Sequence, residues 1–152
     1  MSVDHHSFTI TRTYPYTPAQ VFSAWADPEK KKLWFGVSED FSDTHAVYDF
    51  RVGGREHNSA THNSGVRHTF DSEYTNIVQD ERIVYTYSMT LNAVPLSTSL
   101  TCVTFAPVEG GTILEFTEHG VFFDGADAGT NREIGTASIL DDFARALDGL
   151  FS

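Results

Sequence analysis

Residues 8–36 read FTITRTYPYTPAQVFSAWADPEKKKLWFG, an order that dictates a strand, a tight turn and two short helical turns ending on paired aromatics. Phe8, Ile10, Arg12 and Tyr14 alternate with Thr9, Thr11 and Thr13, the period of two expected of a strand with one buried face. Pro15 stops it. Thr17-Pro18-Ala19-Gln20 then carries a helix start: Thr at the N-cap, proline at the first helical position, and Gln three residues on to close a capping box. Val21, Phe22 and Trp25 share one side of that helix, which must be buried. Asp27-Pro28 repeats the signal and opens a second turn over 29–33, whose Lys30, Lys31 and Lys32 read as a solvated flank.

Beyond this unit the chain is strand-like almost to its end. Residues 37–44 are polar and irregular, 46–50 read as a strand, and Gly53-Gly54 supplies a hairpin turn that sends 55–60 back antiparallel. After a loop at 61–65, Val66, His68, Phe70, Ser72 and Tyr74 alternate with Arg67, Thr69, Asp71 and Glu73, a long strand with one face toward water. Ile83, Tyr85, Tyr87, Met89 and Leu91 share a face of the next strand, 82–91. Pro95 breaks the loop that follows, and 96–105 and 112–119 form a further pair joined through Pro107-Val108-Glu109-Gly110-Gly111. Residues 120–129 place Phe122 and Phe123 in a glycine-rich loop suited to a lid. Thr130-Asn131-Arg132-Glu133 reads as a second capping box, after which Ile134, Ala137, Leu140, Phe143, Ala144, Leu147 and Phe151 recur at helical spacing. Seven strands and one long amphipathic helix make an α+β domain whose antiparallel sheet has to curl its apolar face around that helix, with the two short helices closing one end.

At 152 residues with 40% hydrophobic and 20% charged residues, the chain suits a single soluble domain over 1–152. A net charge of -11 opposes nucleic acid and anionic membranes. The sequence lacks an apolar run of the ~20 residues a membrane helix needs, and its first residues lack the charged and apolar regions of a signal peptide. The expected compartment is the cytoplasm. Lone Cys102 fits a reducing environment and reads as a small buried hydrophobe within 96–105.

Arg12-x-Tyr14, Pro18-x-x-Val21-Phe22-x-x-Trp25-x-Asp27-Pro28 and Trp34, followed by Asp49-x-Arg51-Val52-Gly53-Gly54, Tyr74, residues 81–87 and Gly111-Thr112, resemble the START-like, helix-grip superfamily. The branch they resemble is the one named after the activator of a heat-shock-protein ATPase. The resemblance spans nearly the whole chain and implies a helix-grip fold: a seven-stranded antiparallel sheet curled around a long C-terminal helix, with two short helices between strands 1 and 2. One departure bears on function. The Gly-Trp usual in the family at the start of the last helix is Gly135-Thr136 here, which alters the size and polarity of any pocket.

A sheet gripping one helix tends to leave a gap, and 12 Phe, 6 Tyr and 2 Trp are available to line it. Family positions and strand parity single out Trp34, Phe50, His57, Tyr74, Tyr87, Phe105, Phe116, Glu118 and Phe123 as ligand-binding candidates, against the alternative that they fill the core. Glu118 shares a face with Leu114 and Phe116, where burial would raise its pKa; it is either a polar anchor or general acid, or a strand-end residue or partner of Arg51. Arg51 either holds a ligand carboxylate or fixes its hairpin by a salt bridge. His57, His62 and His68 match no standard zinc spacing, and neither a metal nor a cofactor is expected. Three functions remain open. The first is a small cytosolic protein that binds an apolar or aromatic molecule between sheet and helix, either as a monomer or as a homodimer. The second, implied by polyketide cyclases and aromatases of the superfamily, is an enzyme using Tyr87, His57 or Glu118 to move protons. The third, implied only by the name of the branch, is a co-chaperone; its activators carry a further N-terminal domain, whereas this chain reads as one.

Overall fold

The computed structural model describes residues 2–36, 38–125 and 127–152. β1 (Val3–Tyr14) leads into α1 (Pro18–Ala26) and α2 (Pro28–Lys31). Six strands follow, β2 (Phe41–Tyr48), β3 (Arg55–His62), β4 (Arg67–Val78), β5 (Arg82–Leu91), β6 (Val94–Val108) and β7 (Gly111–Phe123), and then α3 (Gly129–Phe151). The strands form one antiparallel sheet in the order β1-β7-β6-β5-β4-β3-β2. β2 to β7 are therefore a run of hairpins, while β1 pairs with the last strand, so the chain crosses from one sheet edge to the other between β1 and β2. α1 and α2 occupy that crossing. This is the α+β helix-grip architecture expected from the sequence, with the sheet left open. No helix among the described residues is long and apolar enough to cross a membrane.

The capping box at α1 forms as read: Gln20 N donates to Thr17 Oγ1 at 3.2 Å and Thr17 N donates to Gln20 Oε1 at 3.0 Å. It orients α1 so that Val21, Phe22, Ala24 and Trp25 are buried. α3 buries Thr136, Leu140, Phe143 and Leu147. Phe143 is the hub of the core. Its ring, fully buried, meets Trp34 at 4.7 Å and both Tyr14 and Trp25 at 5.6 Å, each edge to face, so β1, α1, the segment after α2 and α3 converge on one side chain.

The solvated reading of Lys31 is corrected by its surroundings. Lys31 is 6% exposed, and its Nζ lies 2.6 Å from Glu56 Oε1 and 3.2 Å from Tyr74 Oη, which itself donates to Glu56 Oε1 at 2.7 Å. The rings of Tyr48 and Phe35 stand 4.5 and 4.8 Å from the ammonium. A one-turn helix cannot present a broad exposed face, and the apolar lysine stem follows Trp25 and Trp34 inward until β3 offers a carboxylate. Burial pushes the Lys31 pKa down, and the Glu56 carboxylate opposes that shift.

Four other expectations shift. β2 begins at Phe41, not 46, because an edge strand needs no apolar alternation; a bulge at Asp43, whose φ is 50°, interrupts its pairing with β3. Pro95 lies inside β6 opposite Thr90, beside a register shift, and the β5–β6 turn is Asn92-Ala93, both at positive φ. α3 starts at Gly129 with Ala128 as an uncapped N-cap, which replaces the capping box expected at Thr130. A Cβ on Gly129 would lie 2.1 Å from His6 Cβ, so only glycine lets the helix start against β1 there. Ile134 is 68% exposed, since at 3.6 residues per turn it faces away from Thr136.

Phe143→Ala should cost about 3–5 kcal/mol in a urea titration; a loss below about 1 kcal/mol would show that the aromatic hub is dispensable. Lys31→Met, which strands Glu56 without a cation, should cost about 3–5 kcal/mol, and the double variant Lys31→Met/Glu56→Leu should recover most of it. Equal losses in the single and double variants would contradict a coupled pair.

Candidate functional site

The concave face of the sheet and the first half of α3 leave a cleft of about 420 Å³ between them. Trp25, Trp34 and Phe35 close it on the side of the short helices. Phe70 of β4, Tyr87 and Met89 of β5 and Phe116 of β7 form the sheet wall, while Arg132, Gly135, Thr136 and Ile139 form the helix wall. Gly135 and Thr136 stand where the family's Gly-Trp is expected, and a Cβ on Gly135 would meet nothing within 4 Å, so the small pair keeps that wall open.

Strand parity decides what faces inward. On β7 the buried residues are Thr112, Leu114, Phe116, Glu118, Gly120 and Phe122. Glu118 is thereby carried into the interior, 2% exposed, on the cleft wall. Tyr87 Oη donates to its Oε2 and Thr101 Oγ1 to its Oε1, both at 2.8 Å. Arg132 Nη1 donates to Tyr87 Oη and Nη2 to Ser97 Oγ, both at 2.9 Å, and the guanidinium lies 5.0 Å from the Phe122 ring and 3.9 Å from Asp127. Burial raises the Glu118 pKa, with the Thr101 and Tyr87 hydroxyls and Arg132 pulling the other way. The Tyr87 pKa is raised by burial and by the charge of Glu118.

Of the nine residues singled out from the sequence, Trp34, Tyr87, Phe116 and Glu118 line the cleft. The other five do not. Tyr74 is committed to the Lys31–Glu56 pair, and Phe50 stacks edge to face on Tyr74 and Phe22. Phe105 is buried against Phe22 and Trp25. His57 is out of phase with buried Glu56, so it lies on the outer face, where its Nδ1 is 2.6 Å from Asp71 Oδ1. Phe123 follows buried Phe122 by one residue and sits beside Val3, Val94 and Pro95, and β7 extends through both phenylalanines, so they belong to a strand and not to the lid loop expected from the sequence. Arg51 pairs with Asp49 at 2.8 Å on the surface, away from Glu118. His62 bonds Ser64, and His68 lines the cleft.

Sequence reasoning missed Trp25, Phe70 and Arg132 as cleft residues. Phe70 shares its strand alternation with Tyr74 and was accessible to the same argument. Arg132 carried no such signal, because its inward direction follows from a helix start at Gly129.

A family model described as "Activator of Hsp90 ATPase homolog 1-like protein" matches residues 15–149. The Mll3558 protein from Rhizobium loti is 40% identical, with a TM-score of 0.89 over 96% of this chain and 99% of its own. A protein from Rhizobium leguminosarum is 37% identical, with a TM-score of 0.92 over 97% of each chain. An AHSA1-like protein from Aeromonas hydrophila shares the fold at 22% identity, with a TM-score of 0.67 over 95% of this chain and 94% of its own. No curated protein matches the chain.

Because the fold raises the Glu118 pKa, the stability it contributes is fully present below the unfolded value near 4.5 and is lost as pH rises through the folded one. Glu118→Gln has no proton to lose. Thermal unfolding should therefore show the wild type at its best relative to the Gln variant near pH ~4 and losing ground toward pH ~8. A difference that is flat or opposite in sign over that range would contradict the assignment.

Proposed function

The chain belongs to the Activator of Hsp90 ATPase homolog 1-like family, and from that premise we propose that it binds an apolar or aromatic small molecule in the cleft between the sheet and α3. The observation that carries this reading is an aromatic-walled cleft of about 420 Å³ whose helix side runs from Arg132 through Gly135 and Thr136 to Ile139. A space of this size lies in the range of small-molecule sites, which are apolar with a few placed polar groups. A core meant only for packing would close such a space, since voids cost stability.

The chain's two tryptophans, Trp25 and Trp34, both line the cleft, so their emission reports on its occupancy. An uncharged apolar probe such as N-phenylnaphthylamine should change that emission and raise the melting temperature. At 100 times its dissociation constant it would add about 2.7 kcal/mol by mass action, or roughly 5–10 °C for a domain of this size. Gly135→Phe, at the exposed rim of the helix wall, should weaken both effects while leaving a folded protein. A broad panel of apolar and aromatic compounds that shifts neither signal would defeat the ligand-binding reading.

A further inference from the structure

We propose that the Arg132 guanidinium is the polar anchor of the cleft, and that it selects an uncharged ligand whose apolar body carries a carbonyl oxygen for it to donate to. The inference rests on the cleft being a ligand site and names what the ligand must present there.

The sheet holds Arg132 in place before any ligand arrives. Its side chain is 10% exposed, on the helix wall of the cleft. Nη1 donates to Tyr87 Oη of β5 and Nη2 to Ser97 Oγ of β6, both at 2.9 Å. The guanidinium carbon stands 5.0 Å from the centre of the Phe122 ring and 5.5 Å from that of Tyr87. Two neighbouring strands and two rings thus fix the fork, so little ordering remains to be done when a further acceptor joins it.

A guanidinium carries five N–H donors. Two are placed on those hydroxyls; the others, on Nε and one on each Nη, have no hydrogen-bond acceptor among the described residues. Its polar neighbours on the cleft wall are occupied within the protein. Tyr87 Oη donates to Glu118, Thr136 Oγ1 donates to the Arg132 carbonyl, and Asp127 Oδ1 accepts from Ala128 N. Arg132 is therefore where this wall holds donors in surplus, and unmatched donors beside an apolar space call for an acceptor on the ligand.

The charge of Arg132, unlike its donors, is already met. Asp127 Oδ2 lies 3.9 Å from Nη2, close enough for Coulombic attraction and too far for a hydrogen bond, so it balances the cation and leaves the N–H groups. Glu118 stands one hydroxyl away, behind Tyr87. A ligand carboxylate would bring a further acidic group to these two, and a ligand ammonium would face the guanidinium. A carbonyl oxygen takes up a donor and adds no charge to a largely apolar space.

Titration calorimetry on the full chain with three matched naphthalenes tests this. Acetylnaphthalene carries the carbonyl, isopropenylnaphthalene replaces its oxygen with a methylidene carbon, and naphthoate is charged. The ketone should bind about tenfold more tightly than the olefin, the worth of a hydrogen bond from a charged donor, with naphthoate weakest. Because a guanidinium keeps its proton throughout, that ratio should be the same at pH ~6 and pH ~8. Arg132→Met keeps an apolar stem and removes the donors, so ketone and olefin should bind alike. If that variant does not fold, proton NMR of the wild type decides: an Arg132 N–H signal should lie further downfield in the ketone complex than in the olefin complex, and equal positions would count against the anchor. Olefin binding as tight as ketone binding, a ketone advantage that survives Arg132→Met or falls between the two pH values, or naphthoate binding tightest would overturn the inference and leave the ligand-binding reading standing. Failure of all three to bind would overturn both.

Discussion

Four elements of this protein meet on one side chain. Phe143 takes the edges or faces of Tyr14, Trp25 and Trp34, which belong to the first strand, the first short helix and the segment after the second. These partners lie far from Phe143 in sequence, so α3 fastens the crossing of the chain from one sheet edge to the other. The same contact fixes where the cleft falls. With Phe143, Leu147 and their neighbours filling the space beneath the C-terminal half of α3, the half bearing Arg132, Gly135 and Thr136 is held over the sheet without filling it.

The Lys31–Glu56 pair is the second fastening, and it differs in kind. Burying two charges is expensive, and an apolar pair of similar volume often holds a fold as well. The pair instead specifies direction: an ammonium inside a ring of Phe35, Tyr48 and Tyr74 has one carboxylate to find, which sets α2 against β3. Trp34 follows three residues after Lys31, so this pairing also positions the indole that closes the cleft. Glu118 is the other buried carboxyl, yet no cation touches it among the described residues. The two acidic groups of one interior thus differ in what holds them: a cation for Glu56, and the hydroxyls of Tyr87 and Thr101 for Glu118.

Much of the fold was legible because its signals are local. Thr17 with Gln20 caps a helix wherever the chain is placed, and the alternation of Phe8, Ile10 and Tyr14 marks a strand by itself. Glu118 was legible for the same reason, since parity with Leu114 and Phe116 sends it inward. The same parity turns His57 and Phe123 outward, each being one residue from a buried neighbour. Lys31 and Arg132 were out of reach. Each is turned inward by a partner distant in sequence, Glu56 for one and Tyr87 for the other, and charge alone in a short helical turn reads as solvent-facing.

The claim on which the account turns is that the space between sheet and α3 is a binding site. Amide chemical-shift changes during titration with an uncharged naphthalene test it most directly. The account predicts that the perturbed residues cluster at Trp25, Trp34, Phe70, Tyr87, Phe116 and Glu118 and along Arg132 to Leu140. Perturbations confined to the groove beside Leu33, Arg145 and Leu150, or to the surface around Val3, Val94 and Phe123, would contradict it.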